Sequence, residues 1–431
     1  MFAVCDCDNC YCSCERVFRP DLNGRPVVVL SNNDGCVVAR SNEAKQLGVK
    51  MGMPYFRMRQ LFPNADITAL SSNYELYGDM TGRVMALLRR ACPGYFFRYS
   101  IDEAFCELPD DWPPERLRAW GQALHTDIKR GTGMPVSIGM GRTKTLAKLA
   151  SHFAKRYPGY HHACLIDTDE QREKALALCP IGDVWGIGRR NTAKLQALGV
   201  ATALDFARWT EQRVNQHFTV TALRTWRELN GTSCIENEKM AAKQSICVSR
   251  SFDGMVDDAE ILSHHVANFS VHVAQKLRRQ GTVAGVVGVF IDTNRFRDDL
   301  EQYYNYADRQ LLTPSSSSTV IAATAQRILD SIFKAGRHYK RAGVVALGLL
   351  PDNAIQTNLL NGDGEHVQRQ RRLDALIDRL NNIEGENAVQ LASQQYRPGP
   401  DGKPVHFADA LRHAFRSPNY TTRWTDLILL K

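Results

Sequence analysis

Two groups of acidic residues, about a hundred positions apart, are the side chains best suited to chemistry in this chain. Asp6 and Asp8 follow the apolar run 2–5, which predicts a buried strand that ends at Asp6. Asp102 and Glu103 separate two further apolar runs and are predicted at the tip of a hairpin. If these strands are neighbours in one sheet, the carboxylates of Asp6, Asp102 and Glu103 converge on one point.

Three carboxylates held close together need cations, because each negative charge disfavours ionisation of the others. A pair of divalent metal ions roughly 3.5–4 Å apart would relieve this repulsion and would suit phosphoryl or nucleotidyl transfer. The alternative is that each group is a strand cap or a solvated turn, which is the commoner role of such residues taken singly.

The composition favours a polyanionic partner. The 431 residues carry 54 Lys and Arg against 46 Asp and Glu, a formal net charge of +8. The length suits several domains. No run of about 18 apolar residues and no signal peptide is present. We therefore expect a cytoplasmic protein without a membrane partner, and reduced cysteines rather than disulfides.

Five cysteines near the start could indicate a zinc or iron–sulfur site: Cys5, Cys7, Cys10, Cys12 and Cys14. However, alternate residues of a strand point to opposite faces, and no Cys or His pair follows at zinc-finger spacing. We predict that these residues are small buried thiols in the core. A cysteine-based redox sensor is a more distant alternative.

The predicted elements that must position the acidic residues follow the order strand, helix, strand, strand, helix, strand. The helices are predicted at about 75–91 and 114–130, and the last strand at 136–141. This order is the split ferredoxin-like pattern. A separate hairpin with strands at 26–30 and 36–40 is predicted between the first strand and the first helix of this pattern, and a capped short helix follows it from Ser41. The fold class is therefore α+β, with more than one domain.

Several residues around this pattern could bind a nucleotide. Arg40 and Lys45 are candidates for a triphosphate, and Lys148 and Lys155 lie two turns apart on one helix face, from which they could reach phosphates or a template. Tyr11 could place its ring under a nucleotide sugar, where a 2′-hydroxyl would clash with it. The alternatives are solvated cations and a core tyrosine.

The segment 184–205 predicts a second phosphate-binding feature. Two short helices joined by a Gly-hydrophobic-Gly turn would expose backbone amides at a helix N-terminus, next to basic side chains. Such a helix-hairpin-helix grips a DNA backbone without reading bases. The residues concerned are Gly186, Gly188, Arg189, Arg190 and Lys194. The alternative is a tight turn without a ligand.

Together these motifs resemble the Y-family translesion DNA polymerases of the group that includes UmuC, MucB, RumB and ImpB. The resemblance covers essentially the whole chain and is carried by Asp6, Tyr11 and the strings SNNDGCV (31–37), GVKMG (48–52), SSNYE (71–75), YSIDEAF (99–105), TKTLAKLA (143–150), VWGIGRR (184–190) and SPNYTTR (417–423).

The resemblance implies a right-hand polymerase with a ferredoxin-like palm. The implied domains are a palm (1–25 and 76–165), small fingers (26–75), a helix-hairpin-helix thumb (166–235), a little finger (243–350) and a C-terminal tail (351–431). It also implies that Asp6, Asp102 and Glu103 bind two Mg²⁺ ions with help from the backbone carbonyl of Cys7. Tyr11 would be the steric gate, and Lys45 and Lys155 would contact the triphosphate.

The substrates implied are a DNA primer-template and deoxynucleoside triphosphates, with Arg250 of the little finger on the DNA.

In the tail, Gln356, Leu359 and Leu360 resemble a degenerate peptide for the β sliding clamp. An amphipathic basic helix at 367–380 is a candidate docking face for a processed UmuD-type dimer, and RecA is a further expected partner.

The resemblance implies error-prone lesion bypass in SOS mutagenesis, and the expected low fidelity agrees with the lack of a segment left over for a proofreading exonuclease. The alternative function is a catalytically inactive DNA-binding accessory protein of the SOS response, against which the intact acidic residues argue. A nucleotide cyclase shares a palm of this type but needs no helix-hairpin-helix.

Overall fold

The computed structural model describes residues 1–236, 243–353, 364–384, 388–394 and 413–428. These residues form two compact units. The first contains 1–236 and 413–428, and the second contains the segments between them. Gln356, Leu359 and Leu360, the predicted clamp peptide, lie outside the described residues.

The first unit contains eight strands within its described residues: β1 (Phe2–Cys7), β2 (Val27–Leu30), β3 (Val37–Arg40), β4 (Thr68–Ser71), β5 (Phe96–Arg98), β6 (Glu103–Glu107), β7 (Val136–Gly141) and β8 (Ala163–Ile166). Its α-helices are α1 (Cys10–Phe18), α2 (Asn42–Gln46), α3 (Tyr55–Leu61), α4 (Tyr74–Ala91), α5 (Pro114–Thr132), α6 (Lys144–Arg156), α7 (Asp169–Leu178), α8 (Arg189–Ala197), α9 (Ala203–Ala207), α10 (Glu211–His217) and α11 (Val220–Leu229).

A five-stranded sheet in the order β5-β6-β1-β7-β8 forms the centre of the first unit. Strand β1 pairs antiparallel with both β6 and β7, whereas β7 and β8 are parallel. Helices α4 and α5 cover one face because each carries a stripe of buried apolar residues, such as Leu117, Leu124 and Ile128 of α5. The element order confirms the predicted ferredoxin-like pattern.

A smaller three-stranded sheet in the order β3-β2-β4 follows α1. Val27 to Leu30 of β2 are fully buried, and this strand pairs antiparallel with β3, as predicted. Ser41 caps α2 by accepting a hydrogen bond from the backbone amide of Ala44.

Helices α7 to α11 pack around an apolar cluster of their own, which includes Leu195, Phe206 and Val214. Before the turn at 184–188, the structure has one 3-10 turn, Ile181–Asp183, in place of the first of the two helices that the sequence predicted. The second predicted helix is present as α8, and its N-cap is Gly188.

The second unit is a four-stranded antiparallel sheet, β11-β10-β12-β9, covered by helices. Its elements are β9 (Ile246–Val256), α12 (Ala259–Gln280), β10 (Thr282–Thr293), β11 (Tyr304–Ser315), α13 (Ser318–Ile332), β12 (Tyr339–Pro351) and α14 (Gly364–Glu384). Arg278 of α12 holds α14 through two hydrogen bonds of 2.7 Å to the carboxylate of Asp378. Among the helices described in either unit, none has the length and apolar character to cross a membrane.

Gly139 lets α6 lie directly on the central sheet. A Cβ atom at this position would lie 2.0 Å from the amide nitrogen of Ser151 and 2.1 Å from the carbonyl oxygen of Ala147, both in α6. We expect Gly139→Ala to lower the free energy of unfolding by about 3 kcal/mol, because both contacts are with backbone that cannot rotate away. The midpoint of urea unfolding measures this change.

Gly159→Ala is the matched control, since a Cβ atom there meets nothing within 4 Å. It should change stability by no more than about 0.5 kcal/mol. Equal unfolding midpoints for the two variants would contradict this description of the contact between α6 and the sheet.

Candidate active site

The register of β1 against β6 brings two of the predicted acidic residues together. Asp6 is the direct partner of Glu103 in this antiparallel pair. Burial, together with a hydrogen bond and charge repulsion from Asp6, raises the pKa of Glu103 to about 7. Burial and the negative charge of Asp6 therefore both disfavour ionisation of Glu103.

Two lysines of α6 contact these carboxylates. Lys148 Nζ donates to both oxygens of Glu103, at 2.8 and 2.7 Å. Lys155 Nζ lies 2.5 Å from Asp6 Oδ1 and 3.5 Å from Asp8 Oδ1. Burial acts to lower the pKa of Lys155, but Asp6 and Asp8 outweigh it, so this pKa is raised. The sequence predicted one shared face for the two lysines, but it did not predict that they would pair with the acidic residues.

Asp102 immediately precedes β6 and is tied to β1 through the backbone, because the amide of Cys7 donates to its carbonyl oxygen at 3.0 Å. Its carboxylate accepts a hydrogen bond of 2.6 Å from Ser100 Oγ. Throughout the described ranges, no three acidic, histidine or cysteine side chains stand in an arrangement that could hold a metal ion as they are. The register thus gathers the acidic residues, while their side chains bond to Ser100 and to the two lysines.

The donor chemistry nevertheless fits Mg²⁺, which prefers carboxylate and carbonyl oxygens. Asp8 Oδ1 is buried and has no hydrogen-bond partner among the described residues, although Lys155 is near it. Burial raises the pKa of Asp8, and Lys155 and Ser137 partly oppose this effect. Cations would offset the cost of burying this group of carboxylates.

Tyr11 lies on α1 and is held by two further tyrosines. Its ring stacks on Tyr77, with centroids 4.6 Å apart and an angle of 15° between the planes, and meets the ring of Tyr74 edge-on at 5.9 Å. Burial and the nearby Tyr74 raise the pKa of Tyr11 to about 12. The ring is half-buried, so it combines fixed packing with an accessible surface.

Lys45 lies beside the acidic residues, whereas Arg40 is engaged elsewhere. Lys45 Nζ donates to Asn9 Oδ1 at 2.6 Å. Burial, together with the nearby Lys155 and Arg40, lowers the pKa of Lys45. The guanidinium of Arg40 donates to the carbonyl oxygen of Val49.

A cavity of about 260 Å³ opens beside Asp6 and extends past Lys148 and Lys155 to Trp185. Trp185 meets Tyr99 edge-on at 5.6 Å, and Lys148 Nζ lies 5.2 Å from the centroid of the Tyr99 ring. This aromatic contact between the turn at 184–188 and the acidic hairpin was not predicted from the sequence. Its only signal was that Trp185 stands inside the string VWGIGRR.

The residues of the predicted DNA-backbone site lie at the turn 184–188 and along α8. Gly186 has a φ of +89°, and a Cβ atom there would lie 2.4 Å from Thr225 Oγ1, so the turn requires glycine. Gly188, Arg189 and Arg190 are exposed at the start of α8. Lys194 is exposed too, and it donates to the carbonyl oxygen of His217, with its ammonium 4.9 Å from the centroid of the Phe218 ring.

In the second unit, Arg250 is half-buried on β9, where it pairs with Ala342 of β12. Its charge contributes to lowering the pKa of Lys276, an effect due mainly to burial and to Lys243. Lys276 and Arg279 are exposed on α12, whereas Arg278 faces α14. This surface is therefore basic.

The N-terminal cysteines pack in the core, as predicted. Cys5, Cys7, Cys10, Cys12 and Cys14 are all buried and free. Burial and the neighbouring Cys7 raise the pKa of Cys5.

Comparison with known families gives three matches along the chain. Residues 5–152 match the impB/mucB/samB family, and residues 243–359 match the C-terminal domain of the same family. Residues 371–429 match a domain of unknown function (DUF4113). The chain is 41% identical to Protein UmuC of Salmonella typhimurium over all of both chains, and 38% identical to Protein SamB of the same species over 99% of both.

Among solved structures, a Y-family DNA polymerase chimera of Dbh and Dpo4 is similar, with a TM-score of 0.64 and 19% sequence identity over 81% of this chain and 99% of that chain. The fold is that of a Y-family DNA polymerase. The full-length identities give the narrower assignment: the chain belongs to the impB/mucB/samB family and is a translesion DNA polymerase of the UmuC type.

Proposed function

We propose that this polymerase transfers nucleotides to a DNA primer by two-metal catalysis at Asp6, Asp102 and Glu103. The observation that carries the proposal is the register of β1 and β6, which sets Asp6 opposite Glu103, while the amide of Cys7 donates to the carbonyl oxygen of Asp102. These carboxylates and the backbone carbonyl of Cys7 would hold two Mg²⁺ ions. When bound, the ions would neutralise charge on the phosphates and lower the pKa of the attacking hydroxyl.

The surrounding residues would then position the nucleotide. Lys148 and Lys155 stabilise the carboxylates in the free protein, and Lys155 and Lys45 would contact the triphosphate. We extend this role to Arg40, whose present bond to Val49 would have to open. Tyr11 would lie under the sugar and exclude a 2′-hydroxyl by steric clash.

DNA would be held by its backbone. The amides after Gly186 and Gly188, with Arg189 and Arg190 exposed beside them, suit a phosphate at the start of α8. Lys194, which is exposed on α8, would add its positive charge to this surface while it contacts His217 and Phe218. In the second unit, the basic surface around Arg250 would contact DNA as a little finger.

The proposed domains are a palm (1–25, 76–165), fingers (26–75), a thumb (166–235), a little finger (243–350) and a tail (351–431). For the tail, we propose that α14 docks the UmuD-type dimer. Leu373, Leu376 and Leu380 are exposed along this helix, which is attached to its unit by polar contacts such as that of Arg278 with Asp378. The β sliding clamp and RecA complete the proposed partners, and the proposed location is the cytoplasm.

We expect low fidelity, since the proposed domains leave no segment for a proofreading exonuclease. The test is primer extension past an abasic site with Mg²⁺ and deoxynucleotides, with and without a UmuD-type dimer and RecA. We expect insertion opposite the lesion and frequent errors on an undamaged template. Salt-sensitive DNA binding without extension under any condition would instead favour the inactive accessory protein.

A further inference from the structure

The end of the chain returns to the first unit. Residues 413–428, here called the C-terminal strap, contact the end of β4 and the start of α4, more than 300 residues earlier. The backbone amide of Ser71 donates to the carbonyl oxygen of Phe415 at 3.0 Å. The amide of Phe415 donates in return to Ser71 Oγ at 2.9 Å. The strap is thus hydrogen-bonded along the small sheet next to the active site.

A buried carboxylate reinforces this attachment. Asp34 is 6% exposed, and it accepts hydrogen bonds from Ser71 Oγ at 2.6 Å and from the amide of Ala414 at 2.9 Å. A buried carboxylate is costly without such donors. The strap therefore supplies a donor that Asp34 would otherwise lack.

The strap also holds the start of α4, the helix that carries Tyr74 and Tyr77 beside Tyr11. Asn73 is fully buried and is the N-cap of α4. Its side-chain amide donates to the carbonyl oxygens of Ser417, at 3.1 Å, and Pro418, at 3.3 Å. Tyr74 and Tyr77, which pack against Tyr11, lie in the first turn that Asn73 caps.

A second series of contacts links the strap to Tyr11 through Glu15. One oxygen of this fully buried carboxylate accepts hydrogen bonds from Tyr77 Oη at 2.6 Å and from Ser417 Oγ at 2.9 Å. The ring of Tyr77 stacks directly on Tyr11. The order of contact is therefore Ser417, Glu15, Tyr77 and Tyr11.

We propose that the C-terminal strap is a positioning element for nucleotide selection. Through Ser417 and Glu15 it fixes Tyr77, and through Tyr77 it fixes the ring of Tyr11 against the sugar of the incoming nucleotide. This inference rests on the proposed role of Tyr11 as the steric gate. It gives a function to part of the segment that matches the domain of unknown function.

The test is single-nucleotide insertion by the full chain with the UmuD-type dimer and RecA, using one deoxynucleotide and the matching ribonucleotide. The measured quantity is the ratio of the two kcat/KM values. Ser417→Ala and Tyr77→Phe each remove one hydroxyl from Glu15 and should lower the preference for the deoxynucleotide by roughly threefold to tenfold, because the ring is then less firmly placed. A reduced folded fraction cancels in this ratio, since both substrates are measured with the same preparation.

Two control variants separate positioning from general packing. Ser417→Thr keeps the hydroxyl and should retain the preference. Arg416→Ala removes the neighbouring ion pair with Glu75, which is 3.3 Å long and partly exposed, and should leave the ratio within about twofold of the wild type.

The outcomes are distinguishable. If Tyr11→Ala relaxes the preference but Ser417→Ala and Tyr77→Phe do not, the positioning role is wrong and the gate stands. If Tyr11→Ala has no effect, both the gate and the positioning role are wrong. Loss of preference in Ser417→Thr as well as in Ser417→Ala would attribute the effect to packing of the strap and would also overturn the proposal.

Discussion

Replacing Asp102 by alanine is expected to reduce single-nucleotide insertion by at least about 100-fold while DNA affinity changes little. Removing a residue that hydrogen-bonds to a metal ligand typically lowers metal affinity or activity 10–100-fold, and removing the ligand itself lowers activity further. Asp102 is one residue from Glu103 and is tied to β1 through its backbone carbonyl, which the substitution leaves in place. Pre-steady-state insertion, with DNA binding measured separately, gives both quantities.

Asp111→Ala is the matched control for this variant. Asp111 is exposed in the loop between β6 and α5, so its removal should leave the insertion rate close to that of the wild type. Insertion by Asp102→Ala within a few-fold of the wild type would exclude a metal-binding role for this carboxylate.

Tyr11→Ala should have the second large effect, an increase of about 100-fold in the ratio of ribonucleotide to deoxynucleotide insertion. A steric difference of one small group in a packed pocket is worth about 10–200-fold, and the Tyr11 ring is held on two sides by Tyr77 and Tyr74. The ratio of the kcat/KM values for the two substrates measures the effect.

The clash with the 2′-hydroxyl comes from the ring of Tyr11 and not from its hydroxyl. Tyr11→Phe should therefore select against ribonucleotides about as well as the wild type. A Tyr11→Ala enzyme that still rejects ribonucleotides would show that another group excludes the 2′-hydroxyl.

The sequence predicted the parts of the site that depend on short-range patterns. Short apolar runs fixed two strands, and their antiparallel pairing then set Asp6 opposite Glu103. The seven-residue spacing of Lys148 and Lys155 predicted one helix face. Their partners could not be predicted, because Lys148 lies 45 positions after Glu103 in the sequence and no local pattern indicates the contact.

Polar contacts between residues far apart in the sequence could not be predicted, for the same reason. Ser417 lies 344 residues from Asn73, and the strap has neither a β-strand nor an α-helix among its described residues to give a periodic pattern. Lys194 was predicted on a phosphate-binding surface, but the packing of α8 beside α10 brings its ammonium to His217 and Phe218. Tertiary structure creates this contact, although the side chain of Lys194 remains exposed.

The central claim is that the acidic residues of β1 and β6 catalyse nucleotidyl transfer with divalent metal ions. The most direct measurement is insertion opposite an abasic site by the wild type and by Asp102→Ala while Mg²⁺ is removed with a chelator and then restored. We predict that wild-type insertion stops and returns with Mg²⁺, while the variant stays at least about 100-fold slower than the wild type when Mg²⁺ is present. Insertion that continues without a divalent metal, or that stays within a few-fold of the wild type in Asp102→Ala, would contradict the claim.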